Sequence, residues 1–183
     1  LRYIILTFAL RNCENMNRIT TYIRQSLQDI YPPEEVKALS MLICCDMLGL
    51  DALDIYMGKD IILSECKQRE LENIIFRLQK NEPIQYIRGF AVFGGRKFKV
   101  APGVLIPRPE TAELVDWVVN ENPGAHHLLD IGTGSGCIAI SLDKRLPDAD
   151  VEAWDISEEA LAIARTNNEE LESRVLFRQR DVL

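Results

Sequence analysis

The sequence predicts an α/β protein: a small helical bundle, a β-hairpin, and then a doubly wound parallel sheet. Three observations predict this. Apolar residues recur at helical spacing from Asn17 to about Asn81. Two extended runs flank Gly94-Gly95, a hairpin signal. Beyond residue 104, extended and helical segments alternate, which requires parallel strands joined by right-handed crossovers.

The elements follow in order. Ile19, Tyr22, Ile23 and Leu27 make one apolar stripe, which Tyr31-Pro-Pro33 ends. Pro33-Glu-Glu35 starts a second helix with acidic residues in its first turn, which suits the helix dipole. That helix turns Val36, Leu39, Leu42, Ile43 and Met47 inward and ends near Gly49. A short third helix covers about Leu53 to Met57. Ser64 caps a fourth, with Lys67 where a capping box would place an acid and with Leu71, Ile74, Ile75 and Leu78 on its apolar face. Residues 16–81 are thus expected to form a bundle, and residues 82–103 a hairpin linker. A helix from about Glu110 to Val119 follows, with Leu114, Val115 and Val118 inward. Strand 126–131, helix 136–145, strand 150–154, helix 157–170 and strand 174–179 complete a second domain over residues 104–183.

Composition narrows the class. A chain of 183 residues can bury one good core or two small ones. A net charge of −7 argues against a general nucleic-acid binder, which carries a basic footprint. The five cysteines, Cys13, Cys44, Cys45, Cys66 and Cys137, form no Cys-x-x-Cys pair and have no matching histidines. They read as reduced thiols of a cytoplasmic protein, without a metal. His126 and His127 open a strand and read as structural. The apolar run in Leu1 to Leu10 is too short to span a bilayer, so no membrane association is expected. Met16 opens a segment that reads like a natural start, so residues 1–15 are expected to be a non-native or disordered extension.

The chemistry is carried by Leu128-Leu-Asp-Ile-Gly-Thr-Gly-Ser-Gly-Cys-Ile-Ala139, with Asp155 about twenty residues later. A strand runs into a glycine turn that opens a helix, and a carboxylate ends the next strand. This arrangement suits an adenosine-containing cofactor. A dinucleotide fingerprint needs its third glycine where Cys137 stands. No lysine is present for a phosphate loop. Gly-x-Gly-x-Gly after Asp130 resembles motif I of the class I S-adenosylmethionine-dependent methyltransferases. The resemblance implies a Rossmann-like sheet, with Gly132, Thr133, Gly134, Ser135 and Gly136 cradling the cofactor. It places Asp130 near the cationic end and Asp155 on the ribose hydroxyls.

Four blocks make the resemblance narrower: Pro83-Ile-Gln-Tyr-Ile-Arg-Gly89, the hairpin ending Phe98-Lys-Val100, Val104-Leu-Ile-Pro-Arg-Pro-Glu-Thr111, and the glycine turn itself. With them the chain resembles the HemK/PrmC family of protein-glutamine methyltransferases from Met16 to Leu183. Members place a helical bundle before a seven-stranded catalytic domain. They methylate the side-chain amide of the glutamine in the Gly-Gly-Gln motif of peptide-chain release factors. The resemblance puts Asp181 and Val182 beside the adenine, although many members carry an aromatic at Val182; an ordinary strand-end turn is the other reading. Arg108 and Glu110 read as structural or substrate-shaping rather than catalytic.

The family's catalytic Asn-Pro-Pro-Tyr does not occur in this sequence. No catalytic residue is therefore assigned within residues 1–183. The expectation is a partial methyltransferase sheet and an N-terminal portion of a longer enzyme, inactive alone and monomeric when complete. Two other functions stay open. One is an exocyclic-amine DNA or RNA methyltransferase, since such enzymes share Asn-Pro-Pro-Tyr. The other is an inactive cofactor-binding fragment whose bundle binds protein.

Overall fold

The computed structural model describes residues 17–182. The expected extension over residues 1–15 lies outside them. The chain divides into two compact units, between Ile87 and Arg88.

The first unit is helical. Helix α1 (Arg18–Leu27) is capped by Asn17, whose side chain accepts from the Ile19 N–H, and it buries Ile19, Ile23 and Leu27. Tyr22, expected on that stripe, is 39 % exposed at its edge. Helix α2 (Pro33–Met41) begins on Pro33 with Glu34 and Glu35 in its first turn. It runs without a break into a π-helical segment, Leu42–Met47, which the apolar spacing does not distinguish from an α-helix. Gly49 then takes φ of 62°, the left-handed geometry that commonly ends a helix. Helix α3 (Ala52–Tyr56) is capped by Asp51. Helix α4 (Glu65–Gln79) is capped by Ser64, which accepts from the Lys67 N–H, and buries Leu71, Ile74, Ile75 and Leu78. These four residues close one core with Ile23, Leu27, Val36 and Ile43. Residues Ile84–Arg88 form a further short helix, α5, that periodicity does not indicate.

The second unit opens with the hairpin. Strands β1 (Phe90–Phe93) and β2 (Arg96–Lys99) pair antiparallel from Phe90↔Lys99 to Phe93↔Arg96. Gly94 and Gly95 both have positive φ, the conformation a tight two-residue hairpin needs. Phe93 and Phe98 meet edge to face, 6.0 Å between ring centres, and enter the core beside the parallel sheet.

Helix α6 (Pro109–Glu121) buries Val115 but leaves Leu114 43 % exposed, against expectation. Strands β3 (His127–Ile131), β4 (Asp150–Asp155) and β5 (Leu176–Gln179) form a parallel sheet in the order β3-β4-β5. Helices α7 (Cys137–Arg145) and α8 (Glu158–Glu170) are the crossovers. The register sets Asp130 opposite Ala153 and Asp155 opposite Gln179. Leu128, Val151, Ala153 and Phe177 pack with Ile140 and Leu142 of α7. The alternating residues Leu129, Ile131 and Leu176 are about half exposed. This is the Rossmann-like arrangement expected of a class I methyltransferase core, in part. Among the described residues no helix is long and apolar enough to cross a membrane.

Candidate cofactor site

Parallel strands all point their carboxyl ends the same way, so the loops after β3, β4 and β5 share one edge of the sheet. That edge carries the glycine turn, Asp155 and the Asp181-Val182 pair.

The turn continues the β3–β4 ladder. The N–H groups of Gly132 and Thr133 both donate to the Trp154 carbonyl, at 2.8 and 3.0 Å. The Gly136 N–H then donates to the Thr133 carbonyl at 2.9 Å and closes the turn. Gly132, Gly134 and Gly136 have φ of 77°, 56° and 80°, a region that residues with a Cβ avoid. Their surroundings separate them. A Cβ placed on Gly132 or Gly134 would meet nothing within 4 Å. One placed on Gly136 would lie 3.1 Å from Ile140 Cδ1 and 3.2 Å from both Ala164 Cβ and Phe177 Cζ. The first two glycines therefore face open space, and the third lets α7 pack against α8 and β5.

Asp155 reaches back to the turn. Its Oδ2 accepts from the Gly134 N–H at 2.9 Å, and its Oδ1 accepts from the Ser157 N–H at 3.0 Å. Ser157 in turn caps α8, accepting from the Ala160 N–H at 3.2 Å. Each carboxylate oxygen keeps a lone pair free for a further donor. Asp130 Oδ2 accepts from the Thr133 hydroxyl at 2.7 Å. Burial pushes the Asp130 carboxyl above its ordinary range; hydrogen bonds from Thr133 and the Ala139 backbone oppose this, and the neighbouring charge of Asp155 adds to it. Burial also pushes the Cys137 thiol up to about 11, so it stays protonated at neutral pH. Thr133 and Ser135 are buried within the turn.

The remaining candidates are more exposed. Asp181 and Val182 follow β5, and Val182 is 52 % exposed. Arg108 is the N-cap position of α6 and Glu110 lies in its first turn, both at the surface. Among the described residues no group of acidic, histidine and cysteine side chains could hold a metal.

One residue of this region gave no signal in the sequence. Asn167, on α8, is 1 % exposed. Its Oδ1 accepts from the Lys99 N–H at 2.6 Å, and its Nδ2 donates to the Lys99 carbonyl at 3.1 Å and the Ser135 carbonyl at 2.8 Å.

Known proteins match both units. Residues 19–89 match the PrmC N-terminal domain, and residues 109–183 the methyltransferase small domain. A release factor glutamine methyltransferase of Bacteroides thetaiotaomicron is 86 % identical over 91 % of this chain and 60 % of its own length. One of Flavobacterium psychrophilum is 39 % identical over 89 % of this chain and 59 % of its own. The chain thus spans about 60 % of the length of these relatives. Among solved structures, the Pyrococcus abyssi tRNA (uracil-54, C5)-methyltransferase in complex with S-adenosyl-L-homocysteine aligns with a TM-score of 0.44 and 24 % identity, over 51 % of this chain and 24 % of that one. With a PrmC N-terminal domain joined to a methyltransferase domain, and a relative 86 % identical along nearly all of it, the chain belongs to the HemK/PrmC family.

Proposed function

We propose that the second unit binds S-adenosylmethionine, and that the protein methylates the side-chain amide of the glutamine in the Gly-Gly-Gln motif of a peptide-chain release factor. One observation supports the cofactor reading most directly. The turn presents unfilled space at Gly132 and Gly134 beside a carboxylate already bonded to its backbone. A phosphate-binding turn would offer free N–H groups or a lysine to an anion. Here the two nearest acids, Asp130 and Asp155, suit a ligand that carries a cation and a diol instead.

The cofactor supplies an electrophilic methyl group on a sulfonium. The chain's own residues bind and orient. Asp155 would accept from ribose hydroxyls, and Asp130 would face positive charge. Gly132 and Gly134 let the ligand approach the backbone, with Thr133, Ser135 and Gly136 shaping the turn. Asp181 and Val182 would border the adenine. An amide nitrogen is a poor nucleophile because its lone pair is delocalised into the carbonyl, so alignment of donor and acceptor carries much of the rate enhancement, up to roughly 7–11 kcal/mol in well-ordered systems. The helical unit serves as the recognition module for the release factor, and the protein works as a cytoplasmic monomer.

The test uses the full-length gene product with methyl-labelled cofactor and offers an intact release factor or a DNA duplex. Label on the release-factor glutamine is the expected result. Label on DNA would favour the exocyclic-amine reading, and label on neither would refute the proposed activity. Deleting the helical unit should raise KM for the intact release factor while cofactor affinity holds. Equal activity with and without it would remove the recognition role.

A further inference from the structure

We infer that Asn167 is a positioning residue: its buried side-chain amide ties the β-hairpin to the glycine turn and locks the turn in the shape that accepts the cofactor. The inference rests on the reading of that turn as the cofactor site.

The hairpin end of the tie follows from strand geometry. Val100 N–H bonds to the Gly89 carbonyl. In an antiparallel pair the next residue along points its N–H and C=O the other way. Lys99 therefore aims both groups away from β1, and Asn167 meets both. The side-chain amide takes the place of a strand neighbour. Only one orientation of that amide works, because the oxygen must accept from Lys99 and the nitrogen must donate to two carbonyls. Both of its N–H groups are then used.

The turn end is the more consequential. The Ser135 carbonyl and the Gly136 N–H belong to one rigid peptide plane. Asn167 holds the carbonyl, and the Thr133 carbonyl holds the N–H. A peptide flanked by glycine is the kind that rotates easily, because glycine tolerates both signs of φ. Here it is pinned at both ends. Ala164, one turn earlier on α8, lies 3.2 Å from where a Cβ on Gly136 would stand, which favours glycine there. Asp155 fixes the preceding part of the turn through the Gly134 N–H. The turn is held from two sides, by β4 through Asp155 and by α8 through Asn167. Replacing Asn167 with an apolar residue would leave the buried Ser135 carbonyl without this partner and take away the acceptor of the Lys99 N–H.

The test compares two substitutions at Asn167 with one control in the same unit. Asn167→Asp keeps the acceptor for Lys99 but sets a carboxylate against two carbonyls. Asn167→Leu keeps the branched shape and removes every bond. The control is Asp143→Asn, which weakens a buried carboxylate bonded to Ser173 and Arg174, away from the turn. Calorimetric S-adenosylmethionine binding and amide hydrogen exchange are measured in the full chain, well below each Tm. Both Asn167 variants should lose about tenfold or more in affinity. Without cofactor, both should exchange the Gly136 amide faster, and Asn167→Leu the Lys99 amide as well. Asp143→Asn should lower Tm while affinity stays within about twofold. Wild-type affinity in both Asn167 variants would overturn the inference, and so would affinity loss that follows Tm equally in all three. If wild-type protein binds no cofactor, the cofactor reading fails and takes the positioning role with it; faster exchange at Lys99 and Gly136 would then show that the tie itself is real.

Discussion

The two units bury polar groups for different ends. Among the described residues of the helical unit the buried polar side chains are Asn17 and Ser40. Asn17 caps α1 and also donates to the Lys59 carbonyl, and Ser40 bonds the Val36 carbonyl one turn back. Around them the buried core is aliphatic apart from Cys44. In the second unit Thr133, Ser135, Ser141, Asp143 and Asn167 are buried. Asp143 and Asn167 there bond backbone groups far away in the sequence. The helical unit is held by apolar surface that any well-shaped side chain can supply. The second has an apolar core of its own and adds directional bonds that fix loops in place. Loss of a core methyl group should therefore change how stable the first unit is, whereas loss of a hydrogen bond in the second should change what it can bind.

The harshest way to break this contrast is Gly136→Val. Its side chain would collide with Ile140, Ala164 and Phe177 from a backbone angle that valine avoids. Overpacking and left-handed strain together should cost about 2–5 kcal/mol. Circular dichroism and calorimetry should show the second unit unfolded and cofactor binding lost, while the helical unit still melts cooperatively. A folded, cofactor-binding variant would mean that the third glycine is not a packing residue. Next comes Leu78→Ala in the helical core, where Leu78 is 1 % exposed. It should cost about 2–5 kcal/mol, read by chemical denaturation, and leave cofactor affinity unchanged. Weakened cofactor binding there would erase the division between the units.

Legibility follows the same line. The stripes of α1, α2 and α4 could be read because each helix contributes its own spacing to one core, and a cap such as Ser64 is a local event. The glycine turn and Asp155 could be read because their spacing is itself the signal. Residues 42–47 could not be assigned as π-helical, since Leu42, Ile43 and Met47 give the same inward spacing in either helix. Tyr22 and Leu114 were placed inward by periodicity but lie at the edges of their stripes, where the width of the partner decides burial. Asn167 was invisible for a different reason. It sits in the polar run Thr166-Asn167-Asn168, which reads as a solvated helix face. Its partners lie 68 and 32 residues away.

Two smaller effects sharpen the contrast within the candidate site. Asp155→Ala should weaken S-adenosylmethionine binding by about 1–3 kcal/mol, read by calorimetry. It should also speed exchange of the Gly134 amide, which loses its acceptor. Unchanged affinity would remove Asp155 from the site. Asp130→Asn is the mildest. The Asp130 carboxyl is raised in the folded state, so its ionisation opposes folding: stability falls as pH climbs from the ordinary carboxylate range through the raised value. The neutral amide escapes that loss and can still accept from Thr133. At pH 7 the cofactor-free variant should melt higher than wild type while binding the cationic cofactor more weakly. A lower Tm together with unchanged affinity would contradict both halves.

The two backbone bonds to Asp155 have a consequence for how a ligand is met. Gly134 and Ser157 hold both carboxylate oxygens in the protein alone. The rotamer freedom of this side chain is given up when the chain folds, not when a ligand arrives. A diol that docks there meets an acceptor already aimed, so the entropy of ordering the carboxylate does not subtract from affinity. The glycine turn, the most permissive stretch of backbone in the unit, is thus made rigid in advance by the residue it helps to aim.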